Sequence, residues 1–129
     1  MTSTFYWTGI GSRETPQPVK NLMERIARGL ETKGGILRSG GAPGADDFFE
    51  MALRGNRKEI YLPQAYFNKK KGILLPITPE VESIASKAHP GYAKMKKDSF
   101  AYRAHSRNVF QVLGSDLKSP SKFVVCYTP

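Results

Sequence analysis

The chain has 129 residues, of which 40% are hydrophobic and 24% are charged. This composition is typical of one globular domain built around a single core. No apolar run approaches the ~20 residues of a membrane span, and the amino terminus MTSTFYWTGIG lacks the features of a secretory signal. The lone cysteine, Cys126, excludes an internal disulfide, and its place in the apolar run FVVCY predicts a buried side chain.

The formal net charge of +9 is concentrated between residues 64 and 108, which contain nine Lys or Arg and three Asp or Glu residues. A basic stripe of this kind suits polyanions such as nucleic acid, nucleotides or other phosphorylated ligands. A solvated lysine face that keeps the protein in solution would give the same composition. Charge alone therefore leaves both interpretations open.

The first predicted elements are a strand and an amphipathic helix. The run FYWTGI at residues 5–10 predicts a strand that ends in the turn Gly11-Ser12-Arg13. The helix that follows ends at Lys33-Gly34-Gly35, where two glycines interrupt the pattern. Its apolar positions recur at helical spacing and form one stripe, composed of Val19, Leu22, Met23, Ile26 and Leu30.

A second strand and helix repeat this arrangement. Residues 36–37 begin a short strand, which breaks at Ser39-Gly40-Gly41. We expect Asp46 or Asp47 to cap the next helix, which turns its apolar side chains inward. A third strand is predicted at residues 59–62, closed by a proline. Strands and helices that alternate with short connections predict a doubly wound, mainly parallel sheet of the Rossmann-like α/β class.

The segment at about 64–98 interrupts this alternation as a basic, partly helical insertion. It contains a lysine triplet and a short helix that begins at Thr78 and stops at residues 89–91. A longer helix follows from about Ser99 to Leu113, with Gly114 as its C-cap. A fourth strand is predicted at residues 123–127. We therefore expect one Rossmann-like domain over residues 1–129.

Two glycine-bearing turns follow the first and second strands: GIGSR at residues 9–13 and SGGAPG at residues 39–44. In parallel α/β sheets, ligands bind outside the carboxyl ends of the strands, at the switch point of strand order. Glycine accepts positive φ and lets backbone N–H groups approach a ligand, and the start of the next helix favours an anion. Tight strand-to-helix corners alone would also select glycine. Neither turn is a Walker loop or a complete GxGxxG motif.

These motifs resemble the Rossmann-like domain of the DNA-processing protein A (DprA) family. That family has a G-S-R turn after the first strand and an S-G-x-A-x-G-x-D loop after the second, which match residues 11–13 and 39–46. Arg107-Asn108 resembles its R-N-R stretch before a V-V-V strand. The broader group is the SLOG superfamily, which includes the Lonely guy (LOG) nucleotide phosphoribohydrolases and nucleotide-sensing domains of antiviral systems. The resemblance covers roughly residues 5–63 and 99–129.

The chain departs from the family pattern in two places. Val109 follows Asn108 where the family continues with a second arginine, so a basic residue is lost. The chain also stops at Thr128-Pro129, before the second phosphate loop and before the catalytic glutamate that LOG enzymes carry there. We expect either a truncated chain or a degenerate form of the fold.

The resemblance and the turn chemistry together predict a ligand site and a nucleic-acid surface. Asp46 is expected to cap its helix or to accept from a ribose hydroxyl, and the forked charge of Arg107 suits a phosphate. The predicted phosphate-binding residues are Gly11, Ser12, Arg13, Ser39, Gly40, Gly41, Ala42, Gly44, Asp46, Arg107, Asn108 and Thr128. The predicted nucleic-acid-binding residues are Lys69, Lys70, Lys71, Lys94, Lys96, Lys97 and Arg103.

The sequence suggests no catalytic residue, metal site or cofactor. No His, Cys, Asp and Glu cluster has metal-ligand spacing, and Glu50 is a single carboxylate without an acid–base partner. Aromatic residues interleave with lysines in and beside the insertion, which suits single-stranded nucleic acid, although packing of the insertion onto the domain explains them equally well. These aromatic residues are Tyr66, Phe67, Tyr92 and Tyr102.

Three functions follow as hypotheses. The first is DprA-like binding of single-stranded DNA, which the charge favours. The second is binding of a nucleotide-derived small molecule, such as an ADP-ribose derivative, by a sensor or sequestering protein. The third, a LOG-like hydrolase, is disfavoured because its glutamate segment is missing. We expect the protein to be located in the cytoplasm of a bacterium or of a phage-infected host cell, with no membrane partner. A homo-oligomer is one possible assembly.

Overall fold

The computed structural model describes residues 4–129 as four strands and four α-helices with two short 3₁₀ turns. The strands are β1 (Phe5–Gly11), β2 (Gly35–Ser39), β3 (Lys58–Ile60) and β4 (Val124–Tyr127). The helices are α1 (Gln17–Thr32), α2 (Ala45–Met51), α3 (Pro79–Ala88) and α4 (Phe100–Leu113), and the 3₁₀ turns are Phe67–Lys69 and Tyr92–Lys94. No helix in this part of the chain has both the length and the apolar character of a membrane span.

The four strands form one all-parallel sheet in the order β3-β2-β1-β4. The α1 and α2 helices cover one face through a core that contains Trp7, Leu37 and Phe49. On the opposite face, the α4 helix packs against β1 and β2. This arrangement confirms the Rossmann-like, doubly wound α/β fold. The strand order reverses between β1 and β4, so the switch point lies at their carboxyl ends.

The predicted insertion forms a second core against α4. The insertion contains the α3 helix. Both α3 and α4 begin where the sequence predicts, and a side chain caps each: Thr78 Oγ1 accepts the Val81 N–H, and Ser99 Oγ accepts the Tyr102 N–H. The buried side chains of this core include Tyr92 and Tyr102. These two tyrosines therefore pack the insertion onto the domain and do not form an exposed stacking surface.

The α2 helix begins differently from the prediction. Its N-cap is Gly44, with φ of 91°, and no side chain caps it. Asp46 lies inside the first turn and accepts the Ala42 N–H from the preceding loop over 3.3 Å. The expectation that Asp46 or Asp47 occupies the N-cap position is wrong, because the glycine turn continues up to the first helical residue.

Three further predictions need correction. Cys126 is exposed, because β4 is an edge strand of the described sheet and its outward side chains are uncovered. Leu22 is 50% exposed, and Ala27 is buried in α1 instead. The β3 strand ends at Ile60, after which Tyr61 makes only an isolated bridge to Ile73, so residues 61–62 lie outside the strand.

A buried charge that the sequence pattern did not predict lies under α4. The Arg38 side chain on β2 is 3% exposed and its Nε donates to Glu59 Oε1 over 3.2 Å. Its Nη1 donates to the Ser119 carbonyl and the Ser121 hydroxyl, and its guanidinium lies over the Tyr6 ring. Arg38 therefore joins the middle of the sheet to the connection between α4 and β4.

Candidate functional site

A cavity of about 570 Å³ opens at the carboxyl ends of β1 and β4, and we call it the switch-point cleft. Its volume falls in the ~300–1,000 Å³ range of small-molecule sites. Eight of the twelve predicted phosphate-binding residues line it, namely Gly11, Ser12, Arg13, Ala42, Asp46, Arg107, Asn108 and Thr128. Residues far apart in sequence thus converge at the point where the fold class places ligands.

The turn after β1 is held firmly by its neighbours. The Ser12 N–H donates to the Tyr127 carbonyl over 2.9 Å, and the Ser12 carbonyl accepts the Ala45 N–H over 3.0 Å. The Ser12 hydroxyl accepts the Glu14 N–H. This turn is therefore fixed between β4 and α2, and its Ser12 N–H is already used within the protein. The Arg13 side chain is exposed and has no hydrogen-bond partner among residues 4–129, so it is free to contact a ligand.

The remaining four predicted residues, Ser39, Gly40, Gly41 and Gly44, do not line the switch-point cleft. A Cβ on Gly44 would collide with the Arg13 backbone, and its φ of 91° is a left-handed conformation. A Cβ on Gly40 would lie 2.7 Å from the Arg107 guanidinium carbon. The absence of a side chain at Gly40 and Gly44 therefore allows the two loops and α4 to approach each other closely, although neither glycine lines the cleft.

Arg107 reaches the cleft from α4, and most of its donors are used inside the protein. Its Nε donates to the Tyr61 carbonyl over 3.1 Å, and its Nη2 donates to the Gly40 carbonyl over 3.3 Å. Its Nη1 donates to the Ala104 carbonyl and to Asn108 Oδ1. Arg107 thus ties α4 to the ends of β2 and β3, and it contributes a fixed positive charge to the cleft wall.

Among the residues that the structure describes, Asp46 is the one acidic side chain that lines the cleft. Burial raises the pKa of Asp46, whereas the Ala42 N–H and the charge of Arg107 oppose that rise. Burial likewise lowers the pKa of Arg107, and the charge of Asp46 opposes this. The two groups therefore stabilise each other's charged form, and together they present an acceptor and a cation to the cavity.

Asn108 lies exposed at the rim of the cleft. Its Oδ1 accepts hydrogen bonds from Arg107 and from Gln111 Nε2. Its amide N–H groups have no partner among residues 4–129, so they can donate outward. The rest of the wall comes from residues that the sequence analysis missed: Ile10, Phe100, Ala104, Gln111, Val112 and Pro129. Four of these residues belong to α4, at positions 100, 104, 111 and 112.

None of the seven predicted nucleic-acid-binding residues lines the switch-point cleft. Lys70 is held between Asp47 and Glu50, with N–O distances of 2.8 and 2.9 Å, and Lys97 lies 3.6 Å from Glu82. Arg103 donates to the Asp98 carbonyl and to Gln64. The other four lysines are exposed and have no carboxylate within 4.0 Å in the described chain: Lys69, Lys71, Lys94 and Lys96.

Glu50, which follows the second glycine turn in the sequence, also lies outside the cleft. Glu50 accepts from Lys58 and Lys70, each over 2.9 Å. Burial alone would raise the pKa of Glu50, but these two lysines outweigh burial and lower it. The carboxylate is therefore held charged in an ion-pair cluster. Over residues 4–129, no group of three or more His, Cys, Asp or Glu side chains could hold a metal ion.

Comparison of the chain with protein-family models, with curated proteins and with solved structures gave no match.

Proposed function

We propose that this protein binds a nucleotide-derived, phosphorylated small molecule in the switch-point cleft. One observation carries the proposal: eight predicted phosphate-binding residues, from the two glycine turns, the first turn of α2, α4 and the end of β4, surround a single cavity of about 570 Å³. We further propose, from the resemblance of the motifs at residues 11–13 and 39–46, that the chain belongs to the SLOG group.

The distribution of charge suggests how such a ligand would lie. Arg13 has its donors free, so it would make the direct contact with a phosphate. Arg107 would act mainly through its charge, because its hydrogen bonds are largely satisfied by backbone carbonyls. The Asp46 carboxylate would accept from a hydroxyl, as a ribose offers. A ligand that carries both a phosphate and a sugar matches this set of groups.

The first test is binding of ADP-ribose and AMP to the wild type and to Arg13→Ala, measured by isothermal titration calorimetry. Removing the exposed arginine should weaken binding about ten- to a hundredfold, the effect of losing a hydrogen bond to a charged group. Arg25→Ala is the matched control, since Arg25 is an exposed arginine on α1 away from the cleft. Arg107 is a poor choice for this test because its loss would also disturb the fold.

Equal affinities of wild type and Arg13→Ala would contradict the proposed phosphate contact. If neither ligand binds the wild type, the proposal that the cleft binds a nucleotide of this size is wrong. Thermal melts of both variants complete the experiment, and we expect them to be near wild type because neither side chain is buried.

Single-stranded DNA is a second candidate ligand, and a different observation favours it. Four lysines of the predicted basic surface are exposed without a nearby carboxylate. Exposed lysines of this kind can follow a phosphate backbone. We place this function second because none of these lysines lines the cleft, and Lys70, at the centre of the triplet, is neutralised by Asp47 and Glu50.

The DNA hypothesis predicts strongly salt-dependent binding of a labelled oligothymidylate, measured by fluorescence anisotropy. The slope of log affinity against log salt changes by about 0.7 for each phosphate contact of a single strand. Replacing both Lys69 and Lys71 by alanine should therefore reduce the slope by about 1.4. Lys33→Ala/Lys118→Ala, which removes two exposed lysines elsewhere, should leave it unchanged. No binding at low salt would exclude this function.

A further inference from the structure

A second cavity, of about 470 Å³, lies between α3 and α4, and we call it the α3–α4 groove. Its walls are mainly aliphatic, and two histidines and one asparagine are the polar residues that line it. The aliphatic side chains are Ile84, Ala85, Ala88, Val109, Val112 and Leu113. The groove is therefore suited to an apolar or flat group with a few hydrogen-bonding atoms.

The α3–α4 groove borders the switch-point cleft. Asn108 and Val112 line both cavities, and both residues are exposed. They form a ridge along α4 that has the cleft on one side and the groove on the other. A ligand held in the cleft by its phosphate can therefore reach the groove by crossing this ridge.

The polar residues of the groove have the chemistry that recognises a flat heterocycle. The His89 and His105 rings stack with centroids 4.2 Å apart and an interplanar angle of 10°. Burial lowers the pKa of His105, and the proximity of His89 and Arg107 lowers it further, which favours the neutral form of the His105 ring. The free amide N–H groups of Asn108 lie at the rim, where they can donate to ring nitrogens or carbonyls.

We propose that the α3–α4 groove holds the base of the ligand whose phosphate lies in the switch-point cleft. This inference rests on the proposed function and narrows it to ligands with a planar, nitrogen-containing ring. The base stacks on the exposed face of the histidine pair, and Asn108 donates to its edge. The insertion thus has a ligand-binding role, because α3 and His89, the residue that follows it, supply one wall of the groove.

Two measurements test the groove and the cleft separately. The first follows the Hε1 proton resonances of His89 and His105 by NMR during titration with adenosine, which carries a base and no phosphate. Stacking of a purine should move these resonances upfield through its ring current. The second compares AMP with ribose 5-phosphate by calorimetry, and AMP should bind about 5- to 150-fold more tightly, the range expected for stacking of one base.

Variants at position 105 connect the two measurements. His105→Ala should remove most of the advantage of AMP and leave the affinity for ribose 5-phosphate unchanged. His105→Phe keeps an aromatic face and should preserve the advantage. Thermal melts check that both variants are folded, and His89→Ala is the alternative should His105→Ala fail to fold.

The possible outcomes separate the two proposals. Binding of ribose 5-phosphate as tight as that of AMP, with unmoved histidine resonances, overturns the groove and leaves the cleft function intact. Shifted resonances with adenosine, but no binding of ribose 5-phosphate, support the groove and contradict the phosphate site. Absence of both signals overturns both proposals.

Discussion

Replacing Arg38 by methionine is expected to lower the free energy of unfolding by about 3–5 kcal/mol, the usual effect of breaking a buried ion pair. Methionine approximates the length of arginine but donates no hydrogen bond. The change leaves the Glu59 carboxylate, whose side chain is 27% exposed, without its cation, and it leaves the Ser119 carbonyl without the Arg38 donor. Urea denaturation gives the change in unfolding free energy directly.

Two further variants identify the source of this effect. Arg25→Met makes the same substitution on the exposed side of α1, where no packing is lost, and should change stability by less than about 0.5 kcal/mol. The double variant Arg38→Met/Glu59→Gln removes the uncompensated charge and should recover part of the loss. A single Arg38→Met variant as stable as the wild type would show that Arg38 does not hold α4 and β4 against the sheet.

Replacing Gly44 by alanine should produce the second large effect, a loss of about 2–4 kcal/mol. Two costs combine at this position. The φ of 91° lies in the left-handed region, which an alanine adopts only with strain, and the new Cβ would lie 2.5 Å from the Arg13 Cα. The two loops must move apart to accommodate the methyl group. Since both loops line the switch-point cleft, we also expect weaker binding of AMP.

Gly29 provides the matched control for Gly44. It lies within α1, and a Cβ built there would have no atom of residues 4–129 within 4 Å apart from its own stretch of the helix. Gly29→Ala should therefore stabilise the protein by about 0.5–1 kcal/mol, because alanine is the better helix former. Opposite shifts in thermal melting for the same chemical change would confirm that backbone conformation and close packing decide the outcome. A Gly44→Ala protein that melts at or above the wild-type temperature would contradict the close approach of the two loops.

The arrangement of charge bears on the choice between the two proposed ligands. Ion pairing removes Lys70 from any free basic surface, and it fixes Glu50 away from the cleft. Three charged side chains line the cleft, Arg13, Asp46 and Arg107, and backbone contacts hold Asp46 and Arg107 in defined positions. Such a site favours one compact ligand over a flexible polymer, which is the reason that we place the nucleotide-derived molecule first.

The sequence alone was sufficient for the fold class and for the location of the two loops. Local periodicity and local turn chemistry account for the strand at residues 5–10, the stripe of α1 apart from Leu22, the starts of α3 and α4, and the Gly114 C-cap. Short connections between alternating strands and helices then leave the parallel, doubly wound sheet as the expected arrangement. The switch-point cleft could be anticipated because its loops follow adjacent strands.

The burial of individual side chains was decided only by the tertiary structure. Arg38 appears in the sequence as an ordinary arginine, and its burial arises because α4 crosses the sheet directly above it. Cys126 is apolar in context yet exposed, because the side chains of an edge strand are buried only where another element covers them. The α4 wall of the cleft, including Gln111 and Val112, likewise depends on a contact between segments about a hundred residues apart. Burial and pairing are long-range properties, whereas a sequence pattern reports only on near neighbours.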